Sequence, residues 1–283
     1  MSARLTVPKT YKLAIGGAFP RSESGRTYEV TTPKGAFLAN AAQASRKDAR
    51  DAVKAARTAQ AGWAKATAYN RGQVLYRVAE VLEGRRAQFV DEVVAQQGVS
   101  AAVAGAQVDE AIDLWVWYAG WCDKYAQIAG NLNPVAGAYF NISAPEPTGV
   151  VAIVAPQESA LLGLVSVVAP ALVAGNAVVV VASEQYPLSA ISLAEVLATS
   201  DVPGGVVNVL TGSPAELAPW LAAHADVNAL DLAGAGGIDW VDLQIAAADT
   251  LKRVLAPGEV VASPQRIAAF TEVKTVWHPK SMV

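Results

Sequence analysis

The hydrophobic pattern changes period along the chain. Residues 12–33 alternate short apolar runs with turns (KLAIGG, PRSESGRT, YEVTTP), which predicts a β-hairpin or meander at the start of the fold. Apolar residues then recur at helical spacing. Residues 47–64 place Ala49, Val53, Ala56 and Trp63 near one face, and residues 71–84 do the same with Val74, Leu75, Val78, Ala79 and Leu82. Residues 85–97 continue the rhythm, and residues 107–128 carry Ile112, Trp115, Tyr118, Ala119 and Cys122 in it.

Beyond a turn-rich break at residues 130–139 the pattern shortens. Residues 138–143 and 149–155 read as strands, and residues 161–173 as a helix in which Pro170 bends or ends a turn. A β-branched run at 177–181 predicts a buried strand. A helix at 187–198, a strand at 206–210, a helix at 214–224 and a strand at 227–232 follow. This alternation predicts an α/β fold whose mostly parallel sheet is covered on both faces. Residues 242–254 read as a further helix. Pro257, Gly258 and Pro264 then break the chain, and residues 271–278 alternate like an exposed or edge strand.

Composition narrows the class. The chain has 283 residues, 53% of them hydrophobic and 17% charged, which fits a well-buried globular protein of one large or two small domains. A net charge of −3 with no basic stripe gives no reason to expect nucleic acid. Residues 159–183 carry no charge and are long enough for a membrane span. Pro170, Gly175 and Asn176 interrupt them, so no span is expected. The first residues lack the apolar core of a signal peptide, and a single cysteine suits a reducing compartment, so a cytoplasmic location is expected.

Candidate chemistry is sparse. Cys122 lies in a helical pattern between Trp121 and Asp123, without the cation or base that would activate a thiol, and reads as a buried structural cysteine. His224 and His278 make no metal constellation with it. Trp115, Tyr118 and Trp121 recur on one face and read as core, whereas Trp117 points elsewhere and is a candidate interface anchor.

Several stretches together resemble the aldehyde dehydrogenase superfamily: YNRGQVLYRVAEVLEGRRAQF, YAGWCDK, PEPTGVVAIVAP, ALVAGNAVVV, LKRV at 251–254 and TEVKTVWHP at 271–279. The resemblance implies a Rossmann-like cofactor domain (residues 1–137 and 151–265) with an antiparallel β oligomerisation extension (138–150 and 266–283). In that reading the strands at 138–143, 149–155 and 271–278 match the family's oligomerisation pieces. Tyr139, Val273, Val276 and Trp277 are its interface candidates. Between LKRV and TEVKTVWHP the family carries a catalytic domain, and here only residues 255–270 connect them.

The family's functional positions fare badly. Its catalytic cysteine lies downstream of these motifs, where this chain has none. Its oxyanion-holding Pro-Trp-Asn-Phe turn is similar to Pro156-Gln157-Glu158-Ser159, where a carboxylate would repel an oxyanion. Its ribose-binding lysine falls on Val181, leaving Glu184 from that motif. Its Gly-Ser-Thr turn falls on residues 234–239, where the hydroxyls are gone and Asp239 adds the wrong charge under a pyrophosphate. Glu259 is displaced from the place of the general base. The resemblance therefore implies no catalytic residue, Glu184, Gly212 and Gly234 as vestigial cofactor contacts, and no cofactor or weakly bound NAD. It also implies a role as a non-catalytic subunit, similar to the shortened second module of tandem family members. Its partner would be a catalytic paralogue, or otherwise a second copy of itself. Two alternatives stand beside it: an aldehyde oxidoreductase with residual NAD-dependent activity, and a stand-alone nucleotide-binding regulator.

Overall fold

The computed structural model describes residues 7–280. Expectations drawn from residues 1–6 and 281–283, including the leader reading and the outer limits of the domain boundaries, lie outside them. Strands β1 (Thr27–Thr31) and β2 (Phe37–Ala42) form an antiparallel pair. Helices α1 (Arg46–Lys65), α2 (Ala68–Gly84), α3 (Arg86–Gln97), α4 (Ala101–Ala119) and the short α5 (Tyr125–Ala129) follow. Strands β3 (Asn131–Asn133) and β4 (Tyr139–Pro147) lead into β5 (Val150–Val154), α6 (Leu162–Val173), β6 (Ala177–Val181), α7 (Leu188–Ala198), β7 (Val207–Leu210), α8 (Pro214–Ala223) and β8 (Ala229–Asp231). The chain closes with α9 (Trp240–Ala248), β9 (Arg253–Leu255), α10 (Pro264–Ala268) and β10 (Thr271–Pro279).

The α/β expectation holds. A parallel sheet in the order β7-β6-β5-β8-β9 forms the centre. Every residue of β5 and β6 is buried, as β-branched runs covered on both faces require. One apolar cluster joins Ile153, Val178 and Val180 to α2, α4 and α6; the other joins Val150, Ala152, Val154 and Val179 to α1 and α8. Trp63 is 2% exposed and its indole N–H donates to the Leu172 carbonyl at 3.1 Å, so its one polar atom is satisfied inside the core.

A second, antiparallel sheet in the order β10-β4-β3 lies apart from the first. The two are joined through Asn176, the buried asparagine of ALVAGNAVVV. Its Oδ1 accepts from the Gly149 amide at 2.8 Å and the Thr148 hydroxyl at 3.1 Å. Its Nδ2 donates to the carbonyls of Phe270 at 2.9 Å and Ala171 at 3.0 Å. One side chain thus ties the start of β5, the end of α6 and the approach to β10. Its loss would leave the Gly149 amide and the Ala171 carbonyl without this partner, while Thr148 and Phe270 stay bonded to one another.

The differences from the sequence reading have local causes. Within residues 12–33 the chain makes an isolated bridge across a Gly16–Gly17 turn with φ of 64° and 82° and then strand β1, whose hairpin partner β2 lies beyond the segment. The helix expected over 107–128 starts earlier, where Ser100 caps α4 by accepting from the Val103 amide at 3.3 Å, and ends at Gly120 before α5. The break at 130–139 holds β3, whose Asn133 Nδ2 donates to Ser143 Oγ at 2.8 Å. The helix expected over 242–254 stops at Ala248. Leu251 turns the chain with φ of 54°, and Arg253–Leu255 runs parallel to β8 as β9. Residues 149–155 belong as β5 to the centre of the parallel sheet and not with the antiparallel strands.

Candidate functional site

The C-terminal ends of β5, β6, β7 and β8 converge, which is where open parallel sheets place ligands. The turn after β5 is fastened by Gln157. Its Nε2 donates to the Ala155 carbonyl at 2.7 Å and its Oε1 accepts from the Glu184 amide at 2.9 Å. Its own carbonyl accepts from the Ser183 hydroxyl at 2.6 Å. The turns that follow β5 and β6 are therefore stapled to one another. Sequence reasoning registered Gln157 only as a replacement, because a staple depends on a partner 27 positions away.

Glu184 is exposed, whereas Val181 is fully buried at the end of β6 and offers no donor. Glu184 and Gly212 both act on the phenol of Tyr28 of β1, a residue that no sequence signal singles out. Burial raises the Tyr28 phenol well above its ordinary range. The Glu184 carboxylate raises it further, and the Gly212 backbone opposes the rise. Gly212 has φ of +126°, and a Cβ there would stand 3.1 Å from the Ala44 nitrogen. Gly234 answers a different demand. A Cβ on it would lie 1.8 Å from the Ala155 carbonyl oxygen, and its amide donates to the Val154 carbonyl at 2.9 Å. This glycine lets the exit of β8 pack on the exit of β5. Nothing lies within 4 Å of a Cβ built on Gly236 or Gly237.

Asp239 caps α9, accepting from the Asp242 amide at 3.3 Å, and Asp242 adds a second carboxylate in the first turn. Both complement the positive end of that helix. Just inside the sheet, the fully buried Asp231 carboxylate accepts from the Ala233 amide at 3.1 Å and pairs with the Arg266 guanidinium of α10. Burial pushes its carboxyl above the ordinary range, partly offset by Arg266. Residues 256–270 reach this point from β9 and place Ile267 and Phe270 in the core at 0% exposure. A cleft of about 290 Å³ beside this segment is lined by Glu110, Glu158 and Glu259 together with Pro156, Ser159 and Gly163. The structure thus gathers carboxylates that the sequence presents one at a time.

Cys122 stands elsewhere, in the turn after α4 rather than within the helix. It is 3% exposed, its thiol contacts the Tyr118 carbonyl at 3.7 Å, and burial pushes it up to about 12. Trp115 and Tyr118 are fully buried and Trp121 partly so, while Trp117 is 37% exposed. Among the described residues no group of His, Cys, Asp and Glu could hold a metal ion, and no helix is long and apolar enough to cross a membrane.

The interface candidates share the antiparallel sheet. Tyr139 and Trp277 meet edge to face at 5.8 Å between ring centroids, on the same side as Val273. Val276 lies on the opposite side, in a row with Ile142 and Leu132. All are exposed, Val273 and Leu132 by about two thirds.

A five-stranded parallel sheet flanked by helices, with a separate antiparallel sheet built from β4 and the last strand, defines the dehydrogenase-type cofactor-domain class. The profile of the aldehyde dehydrogenase family matches residues 19–257, and the chain belongs to that family. It is 33% identical over 250 residues to a putative aldehyde dehydrogenase, DhaS, of Bacillus subtilis, covering 87% of this chain and 50% of that one. It is 32% identical over 259 residues to the cytosolic 10-formyltetrahydrofolate dehydrogenase of Mus musculus, covering 89% and 28%. Its fold superposes with a TM-score of 0.80 and 28% identity on the NAD+ complex of an aldehyde dehydrogenase from Bacillus cereus, covering 87% of this chain and 50% of that one. The chain spans about half the length of the curated aldehyde dehydrogenases it matches.

Proposed function

We propose that this chain is a non-catalytic member of its family that assembles with a full-length aldehyde dehydrogenase and supports or regulates it. The observation that carries this reading is the state of the only thiol. Acyl transfer through cysteine needs a thiolate reachable by substrate. Cys122 is buried away from the strand ends, with its thiol pushed up to about 12. The converging turns offer carboxylates at Glu158 and Glu259 where a developing oxyanion would need donors. The exposed antiparallel sheet supplies the means of assembly. Purified chain given a panel of aldehydes with NAD or NADP is expected to form no reduced cofactor above background. Steady turnover abolished by Cys122→Ser would refute the reading.

The family's dinucleotide does not fit these strand ends. Val181 provides no donor to a ribose, and a hydroxyl left unpaired on binding costs about 1–3 kcal/mol. The amide group of Gln157 is already committed to Ala155 and Glu184. Asp239 and Asp242 hold the α9 terminus that would otherwise attract a pyrophosphate. NAD is therefore expected to bind in the millimolar range or weaker, roughly −4 kcal/mol or less favourable. Asp239→Gly should tighten binding, because glycine keeps the cap at a cost of only a few tenths of a kcal/mol while removing a repelling charge. Calorimetry checks both. Micromolar binding by the unaltered chain would contradict the reading of the site, and unchanged affinity in the variant would clear Asp239.

A further inference from the structure

One cavity has no part in the site above. It lies between α1 and α8, has a volume of about 540 Å³, and is lined by Arg46, Lys47, Arg50, Trp220, Leu221 and His224 among others. That volume falls in the range of small-molecule pockets, about 300–1,000 Å³. Its wall combines cations with an apolar floor, in a chain whose net charge is −3.

The cations stand where the fold does not favour them. Arg46, Lys47 and Arg50 occupy the first turns of α1, the positive end of the helix, where a basic side chain is destabilising. The leading amides of α1 are already satisfied by Ser45 and Asp48 in a capping box, so they are not what the groove offers. Lys47 lies 3.1 Å from Glu23, and Arg50 lies 2.8 Å from Asp51. Arg46 makes no ion pair among the described residues. Its guanidinium lies 3.4 Å from the ring centroid of Trp220, which is itself 43% exposed. Stacking fixes the guanidinium plane and leaves its edge N–H groups available as a fork for two oxygens. His224 accepts from the Asp226 amide through Nδ1 at 3.1 Å, so its neutral ring carries the proton on Nε2 as a further donor at the same cavity.

We infer that the α1–α8 groove binds a small organic oxyanion, a phosphate or carboxylate joined to a flat apolar body. The oxyanion is forked by Arg46 with Arg50 or Lys47 beside it, and the body packs against Trp220 and Leu221. A bare inorganic anion would use the fork without the floor, and a neutral aromatic would use the floor without the fork. The binding is independent of the strand-end site and of the role in assembly.

The test is calorimetric titration of the full chain with phenyl phosphate, benzoate, inorganic phosphate and benzyl alcohol. Phenyl phosphate or benzoate is expected to bind saturably with one site per chain, at least about tenfold tighter than inorganic phosphate or benzyl alcohol. The tighter of the two organic anions identifies the preferred head group. Arg46→Ala and, separately, Trp220→Ala should each weaken that binding about tenfold or more, with unfolding midpoints unchanged because both residues are exposed. Equal binding of inorganic phosphate, unaltered binding in Arg46→Ala, or no saturable binding of either organic anion would overturn the inference.

Discussion

Replacing Arg266 by alanine is expected to destabilise the fold by about 3–5 kcal/mol, the usual cost of stranding a buried charge. The partner is Asp231, fully buried at the end of β8, and the remaining contact to its carboxylate is the Ala233 amide. The loss should appear as a lower denaturant midpoint. The doubly substituted Asp231→Ala, Arg266→Ala chain should recover much of it, because the stranded charge is then gone. The pH dependence has a definite sign. Burial raises the Asp231 carboxyl above its ordinary value, partly offset by Arg266, so folding favours the protonated form more than the unfolded chain does. That favourable contribution is present below the unfolded carboxyl value, about 3.9, and is lost as pH rises through the raised folded value. The deficit of Arg266→Ala should therefore be smaller in acid than at neutral pH. A deficit under about 1 kcal/mol at neutral pH would show that the pair does not anchor residues 256–270.

The second large effect concerns assembly. Removing residues 273–283 takes away most of β10, whose register runs from Thr271 against Pro147 to Pro279 against Tyr139. The cut spares Phe270, which is fully buried and accepts from Asn176 and Thr148, so the body of the domain keeps its closure. Two consequences are expected. The proposed assembly would lose Val273, Val276 and Trp277, each of them apolar and exposed in the single chain. β4 also becomes an unpaired edge carrying Tyr139, Phe140 and Ile142, which invites non-specific strand pairing. Sedimentation of the truncated chain should show dissociation or aggregation. Sedimentation identical to that of the full chain would place the interface elsewhere.

The parallel sheet was legible because its signals are local. The all-apolar runs of β5 and β6 announce strands covered on both faces, and the helices between them carry continuous apolar faces. Short elements were not legible. β9 and α10 are held by partners far along the chain, as when Arg266 meets Asp231, and β3 is a three-residue strand held only by its pairing with β4. In such pieces propensity is weaker than tertiary contact. The site divides the same way. The replacements at Val181, Glu158 and Asp239 are visible in one dimension, and Asp239 does cap a helix terminus. The Gln157 staple, the action of Glu184 and Gly212 on Tyr28, and the cavity between α1 and α8 exist only once the chain is folded. Gly234 shows a subtler limit. The sequence marks it as a glycine under a cofactor, and the fold shows that the Ala155 carbonyl already requires it.

Whether this chain works as a non-catalytic partner is tested most directly by the mass of the particle it forms in its own cell. Tagged full chain is purified under native conditions, its particle mass is measured by light scattering, and the accompanying chains are identified by mass spectrometry. The expected result is an oligomer containing a full-length aldehyde dehydrogenase in fixed ratio to this chain. A well-behaved monomer at micromolar concentration, both alone and when mixed with aldehyde dehydrogenases of the same cell, would contradict it.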